Sequence, residues 1–187
     1  MNIILFGPPG AGKGTQAKYL EKKLDNFQVS TGDLLRDEIK KETEIGKRII
    51  NNMNDGKFVD DDIVNKLIKN AIFDIKKKNK LIFDGYPRTL EQAKNLDLWL
   101  TNSDQKIDFI FFLNVNKDTI LQRIKKRKII EKRSDDDLET IIKRFDTYME
   151  TTKPVLNYYS SKSNFNEIDG GLKITEISNK INSFIKV

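Results

Sequence analysis

The stretch Ile3-Ile4-Leu5-Phe6-Gly7-Pro8-Pro9-Gly10-Ala11-Gly12-Lys13 decides how this chain is read. Four apolar residues form a run too short for a helix, and Gly-Pro stops it, so it reads as a buried strand entering a loop. Helical spacing follows at once, with Ala17, Leu20 and Leu24 on one face. The loop satisfies G-x-x-x-x-G-K. Its glycines let successive backbone N–H groups turn inward around an anion, the helix N-terminus adds partial positive charge, and Lys13 brings a full charge to the outer phosphates. Residue 14 is Gly where most such loops carry a metal-ligating hydroxyl, and Thr15 is the nearest substitute. Mg²⁺ keeps several of its waters, so Asp84, at the end of a predicted strand, is well placed to orient them.

Outward from that unit, strands and helices alternate. Residues 81–83 and 109–115 read as buried strands, each followed by a helical pattern, at 89–100 with Thr89 as cap and at 117–128. Residues 165–168 give a last strand and 174–185 a terminal helix. Between residues 30 and 59 the pattern is polar and helical, with Gly46 and Asp55-Gly56 as breaks, which predicts several short helices. Residues 60–78 predict a helix with an acidic start, and 134–159 one long helix bent at Pro154. Continuous apolar strands alternating with helices predict an α/β fold, a parallel sheet covered on both faces, within a single domain of residues 1–187.

The chain has no Cys and no His, which excludes disulfides, thiolate nucleophiles, imidazole bases and a cysteine zinc site. Its chemistry must use carboxylates, hydroxyls, Lys, Arg, backbone amides or a borrowed cation. A net charge of +6 fits either an anionic partner or a basic, well-solvated surface. The longest apolar runs are too short to span a bilayer, and the first residues lack the pattern of a secretory signal, so a cytoplasmic protein without a membrane partner is expected. Lys outnumbers Arg 27 to seven. Where Lys serves for generic charge, the remaining Arg residues mark sites needing a planar, bidentate fork.

GPPGAGKGTQ (7–16), STGDLLR (30–36), DGKFV (55–59), DGYPRTLEQA (84–93), RIKKR (123–127), RSDD (133–136) and Arg144 resemble, in order, the motifs of adenylate kinases. The resemblance covers nearly the whole chain. It implies the P-loop nucleoside monophosphate kinase fold, with five parallel strands, a mobile monophosphate-binding insert at residues 30–59 and a short lid loop at 128–132. It places Gly10, Ala11, Gly12, Lys13, Gly14, Thr15, Arg123, Arg127 and Leu172 on ATP, with Leu172 acting through its backbone. On AMP it places Thr31, Arg36, Lys57, Phe58, Val59, Gly85, Tyr86, Pro87, Arg88, Gln92, Arg133 and Arg144. Lys13, Arg88, Arg123, Arg127, Arg133 and Arg144 are implied to surround the transferring phosphoryl group; Arg48 alone among the arginines lies outside the motifs.

The reaction so implied is ATP + AMP ⇌ 2 ADP with Mg²⁺, held through water by Asp84, and with no zinc. A phosphate oxygen is already nucleophilic at neutral pH, so the lack of His is no obstacle. A monomer acting on ATP, AMP and ADP, without nucleic acid, is expected. Two alternatives stay open on sequence alone. A UMP/CMP kinase shares most of these motifs, and Thr31 and Gln92 are the residues that distinguish it. A basic nucleic-acid-binding protein on a nucleotide fold is the other, although the cations are spread along the chain rather than gathered in an aromatic-interleaved stripe.

Overall fold

In the computed structural model, residues 1–74, 80–131 and 137–186 are described. β1 (Ile3–Phe6) is buried along its whole length and lies at the centre of a five-stranded sheet. The other strands are β2 (Phe27–Ser30), β3 (Leu81–Asp84), β4 (Phe109–Asn114) and β5 (Phe165–Asp169), in the order β2-β3-β1-β4-β5. Every pairing is parallel; Ile4 faces Phe83 on one side and Ile110 on the other. All five strands therefore end on one edge, and β1 is where successive connections diverge to left and right, the usual position of a ligand crevice in such sheets.

Alternate residues of the strands feed two separate cores. Ile4, Phe6, Val29, Phe83 and Ile110 pack under α2 (Thr31–Lys40), α3 (Glu44–Asn54), α4 (Asp61–Asp74), α5 (Leu90–Thr101) and α8 (Lys153–Ser160). Ile3, Leu5, Ile82, Phe111 and Leu113 pack under α1 (Lys13–Leu24), α6 (Lys117–Glu131) and α9 (Ile174–Ile185). Side chains that alternate across a strand make this division unavoidable once both faces are covered. α7 (Leu138–Thr151) leads into α8. Among the described residues, no helix is long and apolar enough to cross a membrane.

Four details differ from the pattern in the sequence. β2 left no apolar run because it is an edge strand: Phe27 is 37% exposed and Val29 alone of its four residues is buried. Of the long helix expected over 134–159, residues 134–136 lie outside the described residues and the rest is two helices broken at Thr152; Pro154 falls in the first turn of α8, where a missing N–H leaves no bond unmade. α6 runs on to Glu131, so residues 128–131, expected as lid loop, are its last turn; Lys, Arg and Ile supply no Gly or Pro to stop it. Lys132 lies outside the described residues.

Gly46, expected as a break, sits inside α3, where its N–H is capped by the Thr43 hydroxyl at 2.9 Å. Its role is close approach. A Cβ there would stand 2.2 Å from the backbone oxygen of Glu38, at the C-terminal part of α2. Gly46→Ala therefore forces α2 and α3 apart, and should cost about 1–3 kcal/mol of stability. Thermal denaturation checks this: a midpoint several degrees lower is expected, and an unchanged midpoint would show that the helix pair has slack.

Candidate active site

The loop between β1 and α1 is bent by glycine. Gly10 and Gly12 hold φ angles of +80° and +97°, and Gly12 is the N-cap of α1. At Gly10 a Cβ would also meet the Ile124 side chain at 2.9 Å, so the loop lies tight on α6. The Lys13 ammonium folds back into the loop, donating to Gly7 O at 2.7 Å and Pro8 O at 3.1 Å. Burial lowers its pKa to about 8; Asp84 opposes this, while Arg88, Arg144 and Arg127 reinforce it.

Lys13, Phe58, Gly85, Pro87, Arg88, Arg144 and Tyr148 line one cleft at the C-terminal edge of the sheet, with an empty volume, mouth included, of ≈ 460 Å³. Arg88 is tightly held. Its Nε donates to Gly85 O at 2.8 Å, its guanidinium stacks 5.3 Å from the centre of the Phe58 ring, and its carbonyl accepts from Thr152 Oγ1 at 3.2 Å. Thr31, buried at the start of α2, donates to the same Gly85 O at 2.9 Å. Arg144 reaches the cleft from α7. Its helix touches residues 54–56: Thr140 Oγ1 donates to Asn54 O at 3.0 Å, and a Cβ on Gly56 would meet Thr140 O at 2.8 Å.

On the other side of the loop, the Arg123 fork donates to Ala11 O at 3.2 Å and to Leu172 O at 3.3 Å, joining the glycine loop to the turn after β5. Asp84 ends β3, with Oδ2 accepting from Gln28 Nε2 at 2.9 Å and lying 3.3 Å from where a Cβ of Gly14 would be. A side chain at position 14 would crowd this carboxylate. Gly14 thus lets an acidic oxygen approach the start of α1, while Thr15 is exposed.

Other sequence-marked residues are not gathered in the cleft. Arg36 folds back along α2 onto Asp33, and Lys57 pairs with Asp55 at 3.1 Å. Val59 is buried in the core, as is the Tyr86 side chain, whose hydroxyl donates to Asn65 Oδ1 at 2.8 Å. Arg48 is exposed on α3. Arg133 lies outside the described residues. Gln92 is 2% exposed and engaged at both ends of its amide: Oε1 accepts from Arg88 N at 2.7 Å, and Nε2 donates to Asp61 Oδ1 at 2.6 Å. Asp61 also accepts from Thr89 Oγ1 at 2.6 Å.

Sequence reasoning missed Asp61, Gln28, Thr152 and Tyr148. Asp61 was absorbed into the acidic start expected of a helix, and Gln28 lay in the unrecognised edge strand. Tyr148 carried a usable signal, since it follows Arg144 by four residues and so shares its helical face. Among the described residues, no group of three or more acidic side chains could hold a metal ion by itself. A hard cation here would lean on Asp84, on its waters and on phosphate oxygens.

The family model described as adenylate kinase matches residues 5–164. An adenylate kinase of Pelagibacter ubique is 48% identical to this chain, with the whole of both chains covered. Adenylate kinases of Bartonella henselae and Mycoplasma mycoides are 41% and 40% identical, again over the full length of each.

The depressed Lys13 pKa makes anion binding pH-dependent. A phosphate set against the ammonium favours its charged form, so binding at or above pH 8 must take up a proton, and affinity falls as pH rises. ATP affinity should weaken by up to about tenfold between pH 8 and 9, where the phosphates themselves no longer titrate. Calorimetry in two buffers of unequal ionisation enthalpy should show proton uptake at pH 9 in the wild type and none in Lys13→Arg. Equal heats in the wild type would refute it.

Proposed function

The chain belongs to the adenylate kinase family, and we propose a division of its cleft between the two nucleotides of that family's reaction. It is an enzyme that transfers the terminal phosphoryl group of ATP to AMP, reversibly, giving two ADP. The ATP phosphates lie in the loop formed by Gly10, Ala11, Gly12, Lys13, Gly14 and Thr15. The turn at Leu172, tied to that loop by Arg123, takes the adenine through its backbone. AMP lies across the start of α2 and the turn after β3, with its phosphate toward Arg88 and Arg144 and its base toward Thr31 and Gln92. The observation that carries this reading is the convergence of Lys13, Arg88 and Arg144 on one cleft.

No residue need remove a proton. Catalysis comes from alignment of two phosphates and from cations facing the charge on the transferring group. Lys13, Arg88, Arg123, Arg127, Arg133 and Arg144 are that set. The metal accompanying ATP is Mg²⁺, and Asp84 is the residue that would hold it, through water. Two features fit it: the oxygen donor, and the contact that Gln28 makes with Asp84 through Oδ2 alone. Bound there, the ion would neutralise charge on the donor phosphates. Residues 30–59 and the end of α6 close over the nucleotides and exclude water, which would otherwise take the phosphoryl group. The same reading has the enzyme work as a cytoplasmic monomer on ATP, AMP and ADP, without nucleic acid or zinc.

A coupled assay across AMP, UMP, CMP and GMP should give by far the highest kcat/KM for AMP. Arg88→Lys and Arg127→Lys keep the charge and lose the planar fork, so each should lower kcat about 30- to 1,000-fold, a barrier increase of about 2–4 kcal/mol. Exposed Arg48→Lys should leave activity unchanged and stability within about 0.5 kcal/mol. Near-normal kcat in both Arg88→Lys and Arg127→Lys would disprove the proposed roles of these two residues.

A further inference from the structure

Tyr148 sits on α7 one turn after Arg144, buried to 8% exposure, and lines the cleft with Lys13, Arg88 and Arg144. Its hydroxyl is buried and has no hydrogen-bond partner among the described residues. The other buried or half-buried tyrosines are satisfied: Tyr86 donates to Asn65, and Tyr158 and Tyr159 donate to Asp97 at 2.9 and 3.1 Å. A buried hydroxyl without a partner is disfavoured, and each such group in a folded protein calls for an explanation. The neighbouring charged groups cannot supply the missing acceptor, since ammonium and guanidinium are donors only. The Arg88 carbonyl is engaged by Thr152, one turn beyond Tyr148. What satisfies a phenol O–H among cations is an anionic oxygen brought in by a ligand. Burial raises the phenol's pKa above its ordinary value, so it stays a donor throughout the neutral range.

We propose that the Tyr148 hydroxyl donates a hydrogen bond to a phosphate oxygen of bound AMP, beside Arg88 and Arg144. This rests on the reading of the cleft as the acceptor-phosphate site given above. Tyr148 is then a substrate-contacting residue that adds a directed, uncharged donor to a site otherwise built from cations. It adds a third directed contact beside the two guanidinium forks, and so helps to hold the attacking oxygen in line.

Tyr148→Phe removes the hydroxyl and keeps the ring. Without nucleotide the thermal midpoint should stay the same or rise slightly, because an unsatisfied group is lost and no protein contact goes with it. kcat/KM for AMP should fall about 10- to 100-fold, while the dissociation constant for ATP stays within about twofold of wild type. A kcat/KM for AMP within twofold of wild type would overturn the inference. So would an equal loss of ATP affinity, or a midpoint lowered by more than about 5 °C, which would place the hydroxyl's partner inside the protein. Arg88→Lys measured in parallel separates the two levels of the argument. If it loses activity while Tyr148→Phe does not, the tyrosine contact alone is wrong; if neither does, the reading of the cleft falls with it.

Discussion

Lys13, at the edge of the sheet, lies in the field of three arginines. Arg88, Arg127 and Arg144 all disfavour the charge on Lys13, with Asp84 as the opposing influence. Gathering like charges in a half-buried cleft is unfavourable for the fold, and much of the surrounding structure works to hold them in place. The glycine loop offers two carbonyls to the Lys13 ammonium. Gly85 O fixes the Arg88 side chain, Thr152 fixes its carbonyl, and Phe58 covers its guanidinium. Each is a neutral contact. Such contacts position a cation without cancelling its charge.

The central division of labour was legible because it is written in local chemistry. A glycine loop between an apolar run and a helix needs no tertiary information, and neither do the buried strands at 81–83 and 109–115. What escaped was set by neighbours. β2 earns its place by pairing with β3 along one edge, so its sequence carries hardly any of the hydrophobic signal on which strand recognition rests. Gly46 looked like a break because glycine disfavours helix; the packing of α2 on α3 outweighs that preference. Thr152 ends α7, a position that the more conspicuous Pro154 concealed.

The site residues divide in the same way. Lys13, Arg88 and Arg144 belong to recognisable motifs, and the structure brings them together. The groups that orient them are single side chains from distant parts of the chain. Asp61 comes from the start of α4 to hold Gln92 and Thr89, 31 and 28 residues away, and Gln28 crosses from the edge strand to Asp84, 56 residues away. An isolated Asp or Gln in a polar stretch carries no mark of such a partner. Arg36 and Lys57 illustrate the reverse, being motif residues that the fold leaves paired with acidic side chains of their own segment.

The alternation of side chains along β1 has a consequence for how the chain tolerates change. Ile3 and Leu5 belong to the core beneath α1, α6 and α9, whereas Ile4 and Phe6 belong to the core beneath α2–α5 and α8. The backbone of the sheet stands between them as a wall. Substitutions on opposite faces share no side-chain cluster, so their packing effects couple less than those on one face, which must be accommodated together. Sequence drift can therefore rework the packing under the helices of one layer while the other keeps its arrangement. β1, β3 and β4, which place buried residues in both, are where the freedom to vary is narrowest.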